Sequence, residues 1–176
     1  MTTESPTPRT AAKESPGPGA LLSLAGLFGF LIVIFAVGWA GGAVTATSVG
    51  DWYEALAKPP LNPDKWIFPV VWNFLFFLMA ISAWLVWRAA GSFDKAGGQL
   101  ALFGIQLTLN LAWSIVFFGL KSPALAVLVV LALDGAILLT FMAFLKVDRL
   151  AGLLLLPYLA WTLFATYLTI GIALLN

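Results

Sequence analysis

Cysteine and histidine are both absent from this 176-residue chain. Without cysteine, disulfides, zinc–thiolate sites and Fe–S clusters are excluded, and redox chemistry says nothing about compartment. Without histidine, the usual metal ligand, general base and proximal haem ligand are lost together. Charge is scarce too: Asp, Glu, Lys and Arg supply 10% of the residues, against about 25% in soluble proteins. A net charge of +1 gives no electrostatic case for a nucleic-acid partner. No pair of acids is placed for acid–base work, which leaves hydrolase and metal-enzyme chemistry without residues to carry it.

Apolar residues dominate instead, at 61% of the chain with a mean hydropathy of +0.99. That composition defines an integral membrane protein, and the length predicts one domain. Residues 1–19, MTTESPTPRTAAKESPGPG, form a polar tail that cannot bury enough apolar surface to offset its ordering entropy, and disorder is expected there. Five apolar segments follow, at about 20–45, 67–88, 99–119, 123–145 and 150–175. Each is near the roughly 20 residues needed to cross a hydrocarbon core. The first is too long for a signal-peptide core of about 7–15 residues and is read as a span. The expected fold is therefore an all-α five-helix transmembrane bundle over residues 20–176.

Links at 89–98, 120–122 and 146–149 are short, so consecutive helices must be antiparallel neighbours. Ser122-Pro123 reads as an N-cap followed by proline at the first helical position. No internal repeat is visible, and an odd number of spans argues against a two-fold transporter duplication. Arg9, Lys13, Arg88, Lys95, Lys146 and Arg149 fall on the N-terminal side, against Lys58, Lys65 and Lys121 on the other. In a bacterial cell membrane, this bias puts the N-terminus in the cytoplasm.

Only the connector between the first two spans is long enough to hold a shape of its own. Residues 51–72, DWYEALAKPPLNPDKWIFPVVW, contain three tryptophans, four prolines, two lysines and three acids. A tether needs polar turn residues; bulky aromatics and stiff prolines suggest a structured lid. Polar and aromatic residues also recur at helical spacing within the spans. Gln106, Asn110, Trp113 and Ser114 share one stripe, as do Phe68, Trp72, Asn73 and Phe76, and Tyr158, Trp161, Thr162, Ala165 and Thr169. Aromatic faces edged by single hydrogen-bonding groups suit a flat, largely apolar ligand.

A plainer account stands beside that one. Asn, Gln, Ser and Thr in membrane helices often hydrogen-bond to a neighbouring helix, for about 0.6 kcal/mol on average. Trp52, Trp66, Trp84 and Trp87 lie where interfacial anchors are found. Alternating helix direction puts Trp72 and Trp113 on the connector's half of the bundle, while Trp161 starts from the other side; a shared pocket requires it to reach across. Asp134 falls near the centre of the fourth span with no other ionisable residue in a span interior to pair with. Such an acid costs about 2.5–3.5 kcal/mol on insertion scales, and it must find a hydrogen bond, face water or serve a proton or ligand path. Gly38-x-x-x-Gly42 and Gly97-x-x-x-Ala101 are small-residue motifs for close helix approach or dimerisation.

The run Trp52-Tyr53, Lys58-Pro59, Asn62-Pro63, Trp66, Phe68-Pro69 and Trp72, followed in order by QLTLNLAWSIVFFG at 106–119 and LLPYLAWTLFATYL at 155–168, resembles the TspO/translocator protein family of tryptophan-rich sensory or peripheral benzodiazepine receptor-type proteins. The resemblance covers about residues 20–176. It implies a five-helix bundle, often a homodimer, with a pocket closed by the first loop. It further implies binding of porphyrins or other haem-type tetrapyrroles, sterol-like molecules in some members, and no obligatory cofactor or metal. Trp72, Asn110 and Trp161 match the family's pocket positions, with Trp113, Phe76, Phe68, Trp66, Leu61 and Ala165 around them. Some bacterial relatives break porphyrin down in light, an activity attributed to the positions of Trp72 and Trp161. Three readings follow: a tetrapyrrole sensor or transporter, a light- and oxygen-dependent porphyrin-degrading enzyme, and a membrane assembly factor that binds no ligand.

This chain departs from the family pattern in places. Leu61 stands where relatives usually carry tryptophan, Asp64 where they carry a second proline, and Thr169 where they carry asparagine. No basic residue follows Tyr167, so the sterol-recognition pattern is missing. The expected roof is smaller and more acidic, with ligand preference shifting at Leu61 and Asp64.

Overall fold

The computed structural model describes residues 19–176, so the tail reading at 1–18 lies outside the described residues. Its helices are α1 (Ala20–Ala46), α2 (Trp52–Ala55), α3 (Ile67–Ala90), α4 (Phe93–Ser114), α5 (Pro123–Leu145), α6 (Arg149–Leu153) and α7 (Leu156–Leu175). A π-helical turn, Ile115–Gly119, continues α4 without a break. Five stretches are long and apolar enough to cross a membrane: α1, α3, α4 with its π turn, α5, and α6 with α7. The chain is an all-helical bundle of five membrane-spanning segments, with α2 lying in the connector.

Two span boundaries differ from the sequence reading. The third span begins at Phe93, not near residue 99, and the link before it shrinks to Gly91 and Ser92. Gly91 takes the left-handed conformation (φ 83°) that closes a helix C-terminus, and its amide donates to Trp87 O at 3.0 Å. Ser92 then caps α4 by accepting from the Lys95 amide at 3.3 Å. Residues 93–98, read as part of the link, are helical. The fifth span, expected to be continuous over 150–175, breaks at Leu154 and Leu155. Pro157 is the cause: it has no N–H to donate and its ring clashes with the carbonyl four residues earlier. Pro123 does open α5, but the Ser122 hydroxyl caps nothing there.

Hydrocarbon gives no hydrophobic reward for pressing apolar helices together, so close packing and interhelical hydrogen bonds must hold the bundle. The core shows both. Met79, Ala80, Ala83 and Val86 on α3 are fully buried in one core that also holds Ile137 and Phe144 of α5, Ala151 of α6 and Tyr158 of α7. Ser82 Oγ donates to Ala151 O at 2.7 Å, tying α3 to α6. Trp84 Nε1 donates to Ser23 O at 2.8 Å, and Trp87 packs where a Cβ on Gly26 would lie 2.3 Å from its ring. These two tryptophans therefore join α3 to α1, where the sequence had suggested interfacial anchors. α5 packs mainly on α4 and α7, whereas α1 leans on α3 and α4 and leaves most of its surface outward.

Candidate ligand-binding cavity

Between α1, α3, α4 and α7, beneath the 47–66 connector, lies a cavity of about 840 Å³. Two ring pairs shape its walls. Trp72 stacks on Phe76 with centroids 5.5 Å apart, and Trp113 stacks on Phe117 at 5.3 Å. Trp72 and Phe76 are i, i+4 on α3, and Trp113 and Phe117 are i, i+4 across the join of α4 and the π turn. That turn directs two consecutive rings inward: Phe117 and Phe118 are both buried and meet edge to face at 4.8 Å. α1 supplies room as well as the rings of Phe35 and Trp39. A Cβ on Gly38 would lie 2.5 Å from the Phe76 ring, so only glycine lets Phe76 seat there.

Polar groups in the cavity are few. Asn110 is buried, and its amide donates to the Tyr158 hydroxyl at 3.2 Å, which fixes its orientation. Tyr158 in turn meets the edge of Trp72 at 6.2 Å, so one hydrogen bond positions both the amide and the indole. Asn73 points its amide back to Pro69 O at 2.8 Å. Ser114, Thr45 and Thr169 complete the hydroxyls on the walls.

The roof is pinned at several points. Tyr53 is buried over Phe117 and Phe118, and its hydroxyl donates to Asn62 Oδ1 at 2.9 Å. Burial raises the Tyr53 phenol above its ordinary value of 10.0, with the Asn62 hydrogen bond pulling the other way. Lys58 Nζ donates to the carbonyls of Glu54 and Leu56, each at 3.1 Å, and lies over the Tyr53 ring. The far side of the connector is latched to α7. Asn176 accepts from the Ala57 amide and donates to the Ala57 carbonyl, both at 3.0 Å, and Tyr167 donates to Pro60 O at 2.9 Å. Pro59 sits so close to α7 that a Cβ on Gly171 would lie 2.7 Å from it.

Phe68, Trp72, Phe76, Asn110, Trp113 and Ala165 all border this one cavity. Trp161, Trp66 and Leu61 do not. Trp161 lies behind the wall, edge-on to Phe68 at 5.9 Å, because Phe68 fills the gap between α3 and α7. Trp66 and Leu61 turn outward at 66% and 80% exposure. Leu61 holds a left-handed backbone (φ 67°) at the turn, which swings its side chain away from the cavity. Leu61, expected with Asp64 to shift ligand preference, stands off the cavity wall.

Several wall residues went unread in the sequence. Leu168 and Ile172 extend the Trp161–Ala165 stripe by one and two turns, a signal that was present but unmarked by polarity. Tyr53 and Lys65 come from the connector, whose path no periodicity describes. Phe35 and Gly38 sit on α1, a helix apolar nearly all round whose one hydroxyl on the cavity, Thr45, stands at its C-terminal end. Asp134 is absent from the cavity wall. It faces α7, where Thr166 Oγ1 donates to its Oδ2 at 2.7 Å, while Oδ1 is buried without a partner.

Fold and site together define a class: a multi-pass helical membrane protein that encloses an aromatic cavity beneath a loop latched to its last helix. The sequence profile of the TspO/MBR family matches residues 30–175. The chain belongs to that family. It is 40% identical over 146 residues to the tryptophan-rich protein TspO of Archaeoglobus fulgidus, covering 83% of this chain and 94% of that protein. It is 37% identical over 147 residues to the tryptophan-rich sensory protein of Cereibacter sphaeroides, covering 84% and 90%. The human translocator protein is 41% identical over 118 residues, covering 66% and 70%.

Proposed function

We propose that this protein binds flat, largely apolar ligands of the tetrapyrrole class, porphyrin above all, and acts as a membrane sensor or carrier for them. The observation that carries this reading is the facing of two stacked ring pairs, Trp72–Phe76 and Trp113–Phe117, into one cavity of about 840 Å³. That volume falls in the range of small-molecule sites, roughly 300–1,000 Å³. Stacking surface supplies affinity, and the Asn110 amide, held by Tyr158, supplies orientation. The relatives' names, sensory protein and translocator protein, agree with a binding role.

The test is a titration of the protein in lipid nanodiscs with protoporphyrin IX, read by tryptophan quenching. Saturable binding is expected, weakened about tenfold by Trp72→Leu or Trp113→Leu and much less by Trp161→Phe. Unsaturable quenching, or binding indifferent to both wall variants, would overturn it.

A second reading, light- and oxygen-dependent breakdown of the bound porphyrin, is favoured by the place of Trp72 on the wall with Trp161 one ring behind. Bleaching of the porphyrin band under illumination in the wild type, and its persistence in Trp72→Phe, separates catalysis from binding.

The positive-charge bias supports insertion with the N-terminus in the cytoplasm of a bacterial cell. A homodimer is supported by α4, where Gly97, Ala101 and Gly104 form an exposed stripe and no atom lies within 4 Å of a Cβ built on either glycine. Ala101→Leu is expected to shift the mass of the detergent-solubilised particle toward monomer.

A further inference from the structure

Among the residues bordering the cavity, Lys65 is the one that carries a formal charge. It stands at the roof, and its ammonium contacts the Glu54 carboxylate, which is not part of the cavity wall. Both side chains are about half exposed, at 51% and 52%. The other lysine of the connector is not available in this way: Lys58 is occupied by two carbonyls and the Tyr53 ring. Asp51 and Asp64, the remaining acids of the connector, are exposed and do not border the cavity either.

An exposed ion pair is held weakly, because water screens it and two flexible side chains must be ordered to make it. A ligand whose apolar body fills the space between Trp72 and Trp113 brings its own polar edge to the roof. If that edge is a carboxylate, it offers Lys65 a partner already positioned by the body's burial, at no further cost in translational freedom. A neutral ester at the same place offers a poorer acceptor and leaves Lys65 with Glu54.

We propose that Lys65 selects for a carboxylate on an otherwise flat apolar ligand, and that Glu54 is the built-in competitor the ligand must displace. The proposal rests on the binding reading above and adds the class of ligand: amphipathic acids over their neutral analogues. Exchange of Glu54 for the ligand also frees the connector at one of its ends, since Glu54 belongs to α2 and Lys65 lies just before α3.

The experiment compares protoporphyrin IX with its dimethyl ester, each titrated into the protein in nanodiscs of zwitterionic lipid, with empty nanodiscs as the partition control. The acid is expected to bind about fivefold more tightly than the ester, an advantage that shrinks in high salt. In Lys65→Met the acid falls to the level of the ester while the ester is unchanged. In Glu54→Gln the acid gains while the ester again is unchanged. The ester thus reports folding within each variant. Saturable but equal binding of acid and ester by the wild type would overturn this inference and leave the proposed function standing; binding of neither would overturn both.

Discussion

Thr166 donates a 2.7 Å hydrogen bond to Asp134 across the α5–α7 interface, in the middle of the bundle. This bond resolves the most costly feature of the sequence, an acid in a span interior, by giving one carboxylate oxygen a donor from the neighbouring helix. Asp134 does not border the cavity, so the contact ties two helices together. Removing the donor with Thr166→Val leaves both carboxylate oxygens without a partner and is expected to cost about 1–3 kcal/mol. Thermal unfolding in detergent measures it; Asp134→Leu, which removes the orphaned acceptor as well, should cost less than Thr166→Val.

Within the latch between the connector and α7, the Asn176 side chain satisfies both backbone groups of Ala57. Asn176→Ala breaks both bonds, worth about 1–2 kcal/mol together. Hydrogen exchange at the Ala57 amide should accelerate, and a bound ligand should leave faster, while the spans stay protected. Unchanged exchange at Ala57 would show that the connector is held elsewhere.

Gly38 exists for Phe76. A methyl group there would meet the ring at 2.5 Å, below any real Cβ contact, and the ring would have to leave its stack on Trp72. Gly38→Ala is expected to destabilise the bundle by about 1–3 kcal/mol and to weaken porphyrin binding. Gly29→Ala, on the same helix with no atom within 4 Å of the new methyl, is the control and should be neutral or slightly stabilising.

Tyr53 makes the roof sensitive to alkali. Its folded phenol is raised above the ordinary value of 10.0 by burial, so the folded state holds the proton more tightly than the unfolded one. The resulting stability is fully present below about pH 10 and is lost as pH rises from there through the folded value. Protease sensitivity of the connector should therefore increase above pH 10 in the wild type. In Tyr53→Phe that rise should be absent, though the connector is looser at every pH because the bond to Asn62 is gone.

Much of this architecture was legible along the chain. The five spans, the antiparallel order and the structured connector follow from run length, link length and the density of proline and tryptophan. The stripes on α3 and α4 pointed to Trp72, Phe76, Asn110 and Trp113, because a polar or aromatic residue in an apolar helix stands out. α1 was read only for its glycines, as a packing motif, although Phe35, Trp39 and Thr45 also border the cavity. The third span was read as an apolar run from about residue 99, whereas Gly91 and Ser92 supply the stop and the cap that let α4 begin at Phe93.

The sequence by itself determined that this protein lives in a membrane, crosses it with five helices, and carries rings and hydrogen-bonding groups at helical spacing on three of them. Only the tertiary structure decided which of those groups share a cavity. It placed Trp161 behind Phe68, turned Leu61 outward through a left-handed backbone, brought Thr166 to Asp134, and set Lys65 beside Glu54 at the roof. The physical reason is common to all four. In hydrocarbon, an apolar face is equally content against lipid or against another helix, so hydrophobic periodicity does not say which way a helix turns. Rotation and depth are set by where small residues admit large ones and where buried polar groups find partners, and those contacts exist only once the helices have met.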